Sequence, residues 1–210
     1  MRRPSLLPLS LLLAGGLCQA QWEIGAFGGF AKDIGLKVEN SSISADAGFK
    51  PAPIVGVRAG QTINRLGGEV TYLYRFGAAQ LKGNGQTAEF DAEQHLITAD
   101  FLWHFNDKEA KVRPFLVFGG GARVIRGIGV EHAYQPLSQL AVLTKTTEVN
   151  YTGDVGLGVK VRFGKIYHFR AEFRDYIGPG SAEVIAISPG AKKTGVLNDL
   201  MGLVGISFIF

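Results

Sequence analysis

The sequence predicts an all-β fold, namely a transmembrane up-and-down antiparallel β-barrel of eight strands. Three observations lead to this prediction. Runs of about ten residues alternate apolar and polar side chains, as membrane-crossing strands do. The connections between these runs are alternately long and short. No stretch of 18 consecutive apolar residues occurs in the 210-residue chain, which excludes a transmembrane helix.

Residues 1–20 are predicted to be a signal peptide that is cleaved from the barrel domain, residues 21–210. Two arginines precede an apolar run from Leu6 to Ala14, and the small side chains of Cys18 and Ala20 suit a cleavage site. A buried N-terminal helix is a weaker alternative because glycines and a proline interrupt the run. Lipidation at Cys18 is also weaker, because the bulky Leu17 precedes it.

The composition of the mature chain excludes several classes of function. Cleavage removes two arginines and no acid, so the formal charge falls from +4 to +2. A nearly neutral chain has no electrostatic footprint for nucleic acid. The single cysteine, Cys18, belongs to the signal peptide, so the mature chain forms no disulfide and has no Cys-x-x-Cys site.

The first four predicted strands each carry charge on one face and apolar side chains on the other. Residues 21–30 set Glu23 against Trp22 and Ile24, and residues 53–63 set Arg58 against Val55 and Val57. Residues 69–76 and 96–105 follow the same rule; their polar faces carry Glu69, Arg75 and Asp100, and their apolar faces carry Val70, Tyr72, Tyr74, Ile97, Phe101 and Trp103.

The last four predicted strands complete an even number. Residues 113–124 are mostly apolar, with Arg113 and Arg123 on one face. Residues 151–163 and 167–175 alternate most regularly. Their polar faces carry Asp154, Lys160, Arg162, Arg170, Glu172 and Arg174, and their apolar faces include Leu157, Val159, Phe169 and Phe173. Residues 199–210 end the chain.

Which face meets water decides between two closed barrels. A soluble ligand carrier would point its apolar face inward, whereas a membrane barrel points it at lipid. Arginine at mid-strand would cost about 2–4 kcal/mol against lipid, but in a narrow lumen it can pair with a carboxylate. The aromatics at both strand ends fit interfacial girdles, and the 29 glycines fit a tightly curved wall. These observations favour the membrane barrel.

The lengths of the connections between the predicted strands also fit a membrane barrel. The long ones span residues 31–52, 77–92, 125–149 and 177–198, and the short ones span 64–67, 106–111 and 164–166. Outer-membrane barrels have short periplasmic turns and longer extracellular loops. With the N-terminus in the periplasm, every long connection falls outside the cell. Lys32, Asp33, Lys37 and Glu39 are assigned to the first loop and Lys192 and Lys193 to the last.

Across residues 21–210 the chain resembles the small OmpA-type and opacity-type outer-membrane barrels of Gram-negative bacteria. Pro114–Arg123 is similar to the family's fifth strand, and Phe169–Tyr176 to its penultimate strand. The resemblance implies that the C-terminal residues are the signal read by the barrel-assembly machinery: Phe210, Phe208, Ile206, Gly205 and Val204. Leu203 departs from the polar residue usual at its position. The peptidoglycan-binding domain of OmpA has no counterpart, so tethering to the cell wall is not implied.

The sequence predicts neither an enzyme nor a cofactor or metal site. None of the four histidines forms a His-x-Ser pair, and no metal-binding or phosphate-binding motif is present. Asp91, Glu93 and His95 are expected to be polar because they lie at the rim.

The lumen is expected to be filled by an ion-paired network. Its charged members are Glu23, Arg58, Glu69, Arg75, Asp100, Arg113, Arg123, Asp154, Lys160, Arg162, Arg170, Glu172 and Arg174. Four apolar side chains share the inward phase: Phe27, Leu73, Leu102 and Phe115.

The leading hypothesis is therefore a monomeric barrel with a structural or surface-interaction role, in contact with outer-membrane lipid and lipopolysaccharide. An adhesin acting through loops 125–149 and 177–198 is the second hypothesis, followed by a lipid-modifying enzyme and a small pore. The apolar segments 135–144 and 183–189 are expected to pack together as hairpins above the membrane. The alternative is that they form an exposed surface for a partner.

Overall fold

The computed structural model describes residues 20–210 of the chain. The predicted signal peptide, residues 1–20, therefore lies outside the described residues except for Ala20. Within the described part, no helix has the length and apolar character that crossing a membrane requires.

Residues 20–210 form fourteen strands, and all of the pairings between them are antiparallel. In chain order the strands are β1 (Gln21–Ile34), β2 (Lys37–Glu39), β3 (Ser44–Phe49), β4 (Ala52–Ile63), β5 (Leu66–Arg75), β6 (Ala78–Gly83), β7 (Gln86–His104), β8 (Val112–Gly127), β9 (Ala141–Leu143), β10 (Thr147–Phe163), β11 (Tyr167–Gly178), β12 (Ile185–Ile187), β13 (Lys192–Thr194) and β14 (Leu197–Ile209).

Eight long strands close into a barrel in the order β1-β4-β5-β7-β8-β10-β11-β14. The barrel closes where β14 pairs with β1, from Glu23 opposite Ile209 to Ile34 opposite Asn198. Beyond the last pair, the backbones of Trp22 and Phe210 exchange two hydrogen bonds of 3.0 Å. The predicted eight-stranded antiparallel barrel is confirmed, and the predicted alternation of inward and outward side chains holds along its strands.

The barrel strands extend beyond their predicted ends on the side of the long connections. β7 has 19 residues and β10 has 17, whereas the pattern predicted shorter runs. The segment 77–92 is a hairpin of β6 and the first part of β7, with Asn84 and Gly85 at its tip. Both tip residues have positive φ, 48° and 71°, as a two-residue type I′ turn requires.

The remaining short strands build an extension above this end of the barrel. A sheet continues from β7 in the order β6, β3, β2 and β13, and β9 pairs separately with β12. The expectation that segments 135–144 and 183–189 pack against each other is confirmed by the β9–β12 pair. All six charged residues assigned to loops lie on strands: Lys37 and Glu39 on β2 and Lys192 and Lys193 on β13, which are short strands within the long connections, and Lys32 and Asp33 on β1 of the barrel itself.

The molecule therefore has two differently built interiors. Inside the barrel, charged side chains lie among small apolar clusters. Above it, eighteen buried apolar residues form one cluster, which we call the outer core: Leu36, Val38, Ala45, Ala47, Phe49, Ala79, Leu81, Ala88, Phe90, Ala92, Ile125, Leu137, Leu140, Ala141, Leu143, Val184, Ile185 and Leu197. The side chains that could carry function are therefore surrounded by packed residues, both in the barrel lumen and in the outer core.

Candidate functional site

The charges predicted for the lumen lie on the inward phase of the barrel strands. Twelve of the thirteen are buried, with Arg162 only partly so. Burial of so many charges is costly unless each finds a partner, so their contacts decide what the barrel interior can do.

Arg174 on β11 is the centre of the largest group. Its Nη2 lies 2.5 Å from Oε1 of Glu69, and its Nη1 lies 2.6 Å from Oδ2 of Asp100 and 3.2 Å from Oδ2 of Asp154. Its Nε lies 3.1 Å from Oε2 of Glu172. These four carboxylates come from β5, β7, β10 and β11 itself, so one guanidinium joins four strands.

Two further arginines share the carboxylates of that group. Arg170 donates two hydrogen bonds to Glu69, of 2.6 and 2.8 Å, and one of 2.7 Å to Glu172. Arg58 lies 2.5 Å from Glu172, and its guanidinium stacks 4.1 Å from the centre of the Phe27 ring. This part of the lumen thus combines ion pairs with cation–π contacts.

A separate pair lies nearer the short connections. Lys160 Nζ donates to Glu23 Oε2 at 2.6 Å, bridging β10 and β1 across the lumen. The guanidinium of Arg170 lies 4.5 Å from the centre of the Phe115 ring, and Lys160 Nζ lies 5.8 Å from it.

A third group, near the outer core, includes two acids that sequence reasoning missed. Arg75 Nη1 lies 2.5 Å from Oδ1 of Asp33 and 2.8 Å from Oδ2 of Asp199, and Arg123 lies 3.6 Å from the latter. Asp33 was assigned to a loop, but β1 continues to Ile34 and turns this carboxylate inward. The position of Asp199, two residues from the inward Met201, could have identified it.

Arg113 and Arg162 do not join these groups. Among residues 20–210, neither has a carboxylate within 4.0 Å. Arg113 donates to the backbone oxygen of Asn64 at 2.7 Å, and Arg162 donates to the backbone oxygen of Lys108. Both therefore contact the short turns at the barrel mouth. On the exposed side of the same turns, Arg65 donates a hydrogen bond to Asp107, and this bond lowers the pKa of the Asp107 carboxyl.

Little free space remains around the ion-paired side chains of Glu23, Glu69 and Lys160. The lumen cavity lined by Glu23, Arg58, Glu69, Leu102 and Lys160 has a volume of about 10 Å³. That is near the minimum needed for a single water molecule. Phe27, Leu73, Leu102 and Phe115 are buried in the lumen, as their phase predicts.

The C-terminal strand turns alternate side chains outward. Val204, Ile206, Phe208 and Phe210 are exposed on the wall, and Gly205 faces inward. The rings of Phe208 and Phe210 lie 5.9 Å apart, and Tyr167 contacts the former at the same distance. Leu203, the departure from the family signal, is buried in the lumen.

The polar residues at the outer rim form a hydrogen-bonded cluster on the outside of the wall. Glu93 accepts a hydrogen bond from Tyr74 at 2.7 Å and lies 2.8 Å from Arg126. His95 contacts the hydroxyl of Tyr72 at 2.8 Å. The hydroxyls in this cluster are phenols, which are poor nucleophiles for acyl transfer. Among residues 20–210, no group of three side chains is arranged to hold a metal ion.

Comparison with known proteins decides the family. Residues 9–184 match the family model described as the outer membrane protein beta-barrel domain. The chain belongs to this family. It is therefore a β-barrel of the outer membrane of a Gram-negative bacterium, with its wall in contact with membrane lipid. No curated protein matches the chain by sequence.

Two solved structures show the same fold. Neisserial surface protein A (NspA) matches with a TM-score of 0.54 and 15% identity, over 90% of this chain and 97% of that one. The N-terminal β-barrel domain of Pseudomonas aeruginosa OprF matches with a TM-score of 0.50 and 15% identity, again over 90% and 97%. At this identity the likeness concerns the fold of the outer-membrane barrel alone.

Proposed function

We propose that this outer-membrane barrel is a non-conducting scaffold that presents a folded β-extension for contact with a partner at the cell surface. The observation that carries the proposal is the outer core. The long connections bury eighteen apolar residues among themselves and the upper barrel strands, so they form a rigid surface. A rigid scaffold that presents working residues in its connections is a common arrangement in binding proteins.

The lumen supports the non-conducting part of this proposal. Arg174, Arg170 and Arg58 connect carboxylates on opposite strands, and the cavity beside them is about 10 Å³. An eight-stranded barrel is narrow enough for side chains to fill it. We infer that the charges serve stability and strand register, and that the barrel is plugged.

A structural role at the surface also fits the rim better than catalysis. The His95 side chain contacts a phenol, and Glu93 is engaged by Tyr74 and Arg126. General acid–base or nucleophilic chemistry needs a nucleophile, its base and an orienting group together. We therefore propose no enzymatic activity for the rim cluster.

Adhesion is the specific form of surface contact that one observation favours. The segment after β8 leaves large apolar side chains in water, with Val130 74% and Tyr134 77% exposed. Ile128, 48% exposed, precedes them. Apolar side chains that are exposed together, rather than singly, are characteristic of interaction surfaces. We propose that residues 128–134 make the contact.

Replacing the exposed side chains tests this proposal. The double variant Val130→Ser and Tyr134→Ser should reduce adherence of intact cells to polystyrene several-fold. The variant Val196→Ser, at another half-exposed apolar site, should leave adherence unchanged. All variants should keep heat-modifiable migration on gels, which reports an assembled barrel. Unchanged adherence of the double variant would count against residues 128–134 as the contact surface.

Biogenesis and assembly complete the proposal. We infer that Phe210, Phe208, Ile206, Gly205 and Val204 form the signal for the barrel-assembly machinery, since the outward aromatics sit at the closing seam with β1. Lipopolysaccharide and phospholipid are the surrounding partners, and the closed barrel needs no second copy to pair its strand edges.

A further inference from the structure

The lipid-facing wall of the barrel is not uniformly convex. A groove of about 720 Å³ runs across β4, β5, β7 and β8 on the outside of the barrel. We call it the wall groove. Its floor is formed by the small residues Ala59, Gly68 and Ala99, and Phe101 and Phe118 rise on one side.

The strand register explains why the groove forms. In one row across the wall, Gly68 lies between Gln61 on β4 and Phe101 on β7. In the next row, Val70 lies between Ala59 and Ala99. The first row has only Gly68 between two larger side chains, and the second row adds the small Ala59 and Ala99 on either side of Val70, so the wall is lower here than at Trp22 and Phe101. The rings of Phe101 and Phe118 lie 5.0 Å apart and make a continuous apolar side.

The groove lies in the periplasmic half of the wall. Gly68 is two residues from Leu66, which pairs with Ile63 at the short turn between β4 and β5. Trp22, which lines the same end, pairs with Gln61 and hydrogen-bonds Phe210 at the barrel seam. Tryptophan is enriched at membrane–water interfaces. One end of the groove therefore reaches the periplasmic headgroup region.

That end also carries an unpartnered polar atom. Within residues 20–210, Oε1 of Gln61 is buried and has no hydrogen-bond partner. A carboxamide can turn to present its nitrogen as a donor or its oxygen as an acceptor. Next to Trp22, at the boundary of the apolar wall, it is placed to meet the glycerol-ester region of a lipid.

We propose that the wall groove binds one acyl chain of a phospholipid from the periplasmic leaflet, with Gln61 and Trp22 at its ester end. The groove is continuous with the surface that the barrel presents to the bilayer, so hydrocarbon is the phase that covers it. The outward side chains of the lining are apolar apart from Gln61, as an acyl chain requires; Glu69 and Asp100 also border the groove, but their carboxylates pair with Arg174 in the lumen. A second barrel is a poorer fit, because the convex wall of another copy does not fill a depression in this one.

The test uses the full-length mature protein folded in liposomes of phosphatidylethanolamine and phosphatidylglycerol that contain a phospholipid with a diazirine on its acyl chain. After irradiation, mass spectrometry maps the labelled residues. Labelling should be concentrated on the β7 and β8 residues around Phe101 and Phe118, compared with the wall formed by β10 and β11.

Two glycine variants make the test specific. A Cβ at residue 68 would meet only the backbone oxygen of Asp100, at 3.9 Å, so the backbone accepts a side chain there and Gly68→Leu extends into the groove. Gly202, outward on β14, has nothing within 4 Å of a Cβ and gives the matched control, Gly202→Leu. Gly68→Leu should lower groove labelling several-fold, and Gly202→Leu should not. Ala99→Leu serves as the second groove-filling variant if the first does not assemble.

Three results would overturn the proposal. Labelling spread evenly around the barrel would show that the groove holds no preferred chain. An equal loss with Gly68→Leu and Gly202→Leu would show that the groove is not the site. Cross-linking of two barrels through the groove would assign it to a second copy of this chain.

Discussion

At the scale of single residues, the barrel interior is organised around arginines that each contact several carboxylates. Arg174 contacts four, and Glu172 in turn contacts Arg58, Arg170 and Arg174. Arginine suits this arrangement because its planar group offers five donors in fixed directions. Removing one member leaves its partners charged and buried, which is the costly outcome for such groups.

Glu172→Ala should therefore destabilise the barrel by about 3–5 kcal/mol, the usual cost of removing one partner of a buried ion pair. The matched control is Glu89→Ala, which removes the 2.9 Å pair with Lys50 outside the barrel, where both side chains are 43% exposed. An exposed pair contributes about 0–1 kcal/mol. The thermal midpoint of the gel shift between folded and unfolded barrel measures both. An unshifted midpoint for Glu172→Ala would mean that this residue is not paired in the lumen.

The sequence was sufficient to predict that most of these charged residues point into the lumen, but not which partner each of them contacts. Glu69, Asp100 and Arg174 follow from strict alternation within long runs. Asp33 does not, because the predicted first strand ends at residue 30 and the true end of β1 depends on its pairing with β14. Which carboxylate meets which arginine depends on the register of strands distant in sequence, which no single run contains.

At the scale of elements, the extension above the barrel was the least predictable part. β2, β9, β12 and β13 have three residues each, too few to show an alternating pattern. β2, β9 and β12 are held by apolar side chains that join the outer core, which is a tertiary effect, and β13 is held by its pairing with β2. The sequence did indicate that the apolar segments 135–144 and 183–189 avoid water by packing together.

The outer core should unfold separately from the barrel. Leu140 is fully buried in that core, so Leu140→Ala should cost about 2–5 kcal/mol there. Val130→Ala, at an exposed position nearby, is the control. Limited proteolysis of intact cells should cut the connections of the Leu140 variant faster, while its heat-modifiable migration persists. Loss of the barrel together with the extension would show that the two are one cooperative unit.

At the scale of the whole molecule, two interiors with different chemistry are stacked along one barrel. Ion pairs between strands stabilise the barrel lumen, and apolar contacts stabilise the outer core. The outer wall is apolar, with aromatic residues towards both ends and aliphatic side chains such as Val57, Val70 and Ile97 between them. Charged residues make up 19% of the chain. Because many of them are buried in the lumen, the wall that faces lipid stays apolar.

The ion-paired lumen leads to an electrical prediction. Ions crossing the barrel would have to displace Arg174 or Arg170 from carboxylates that hold them at 2.5–2.8 Å, through a cavity of about 10 Å³. Breaking buried pairs of this kind costs about 3–5 kcal/mol each. The lumen should therefore remain closed to ions at ordinary membrane voltages.

Planar-bilayer recording of the purified mature protein tests this central claim most directly. We expect a flat baseline, without discrete conductance steps, from protein whose insertion is confirmed by heat-modifiable migration. Reproducible steps whose size rises with salt concentration would contradict the account, because they would show an open aqueous path through the ion-paired lumen.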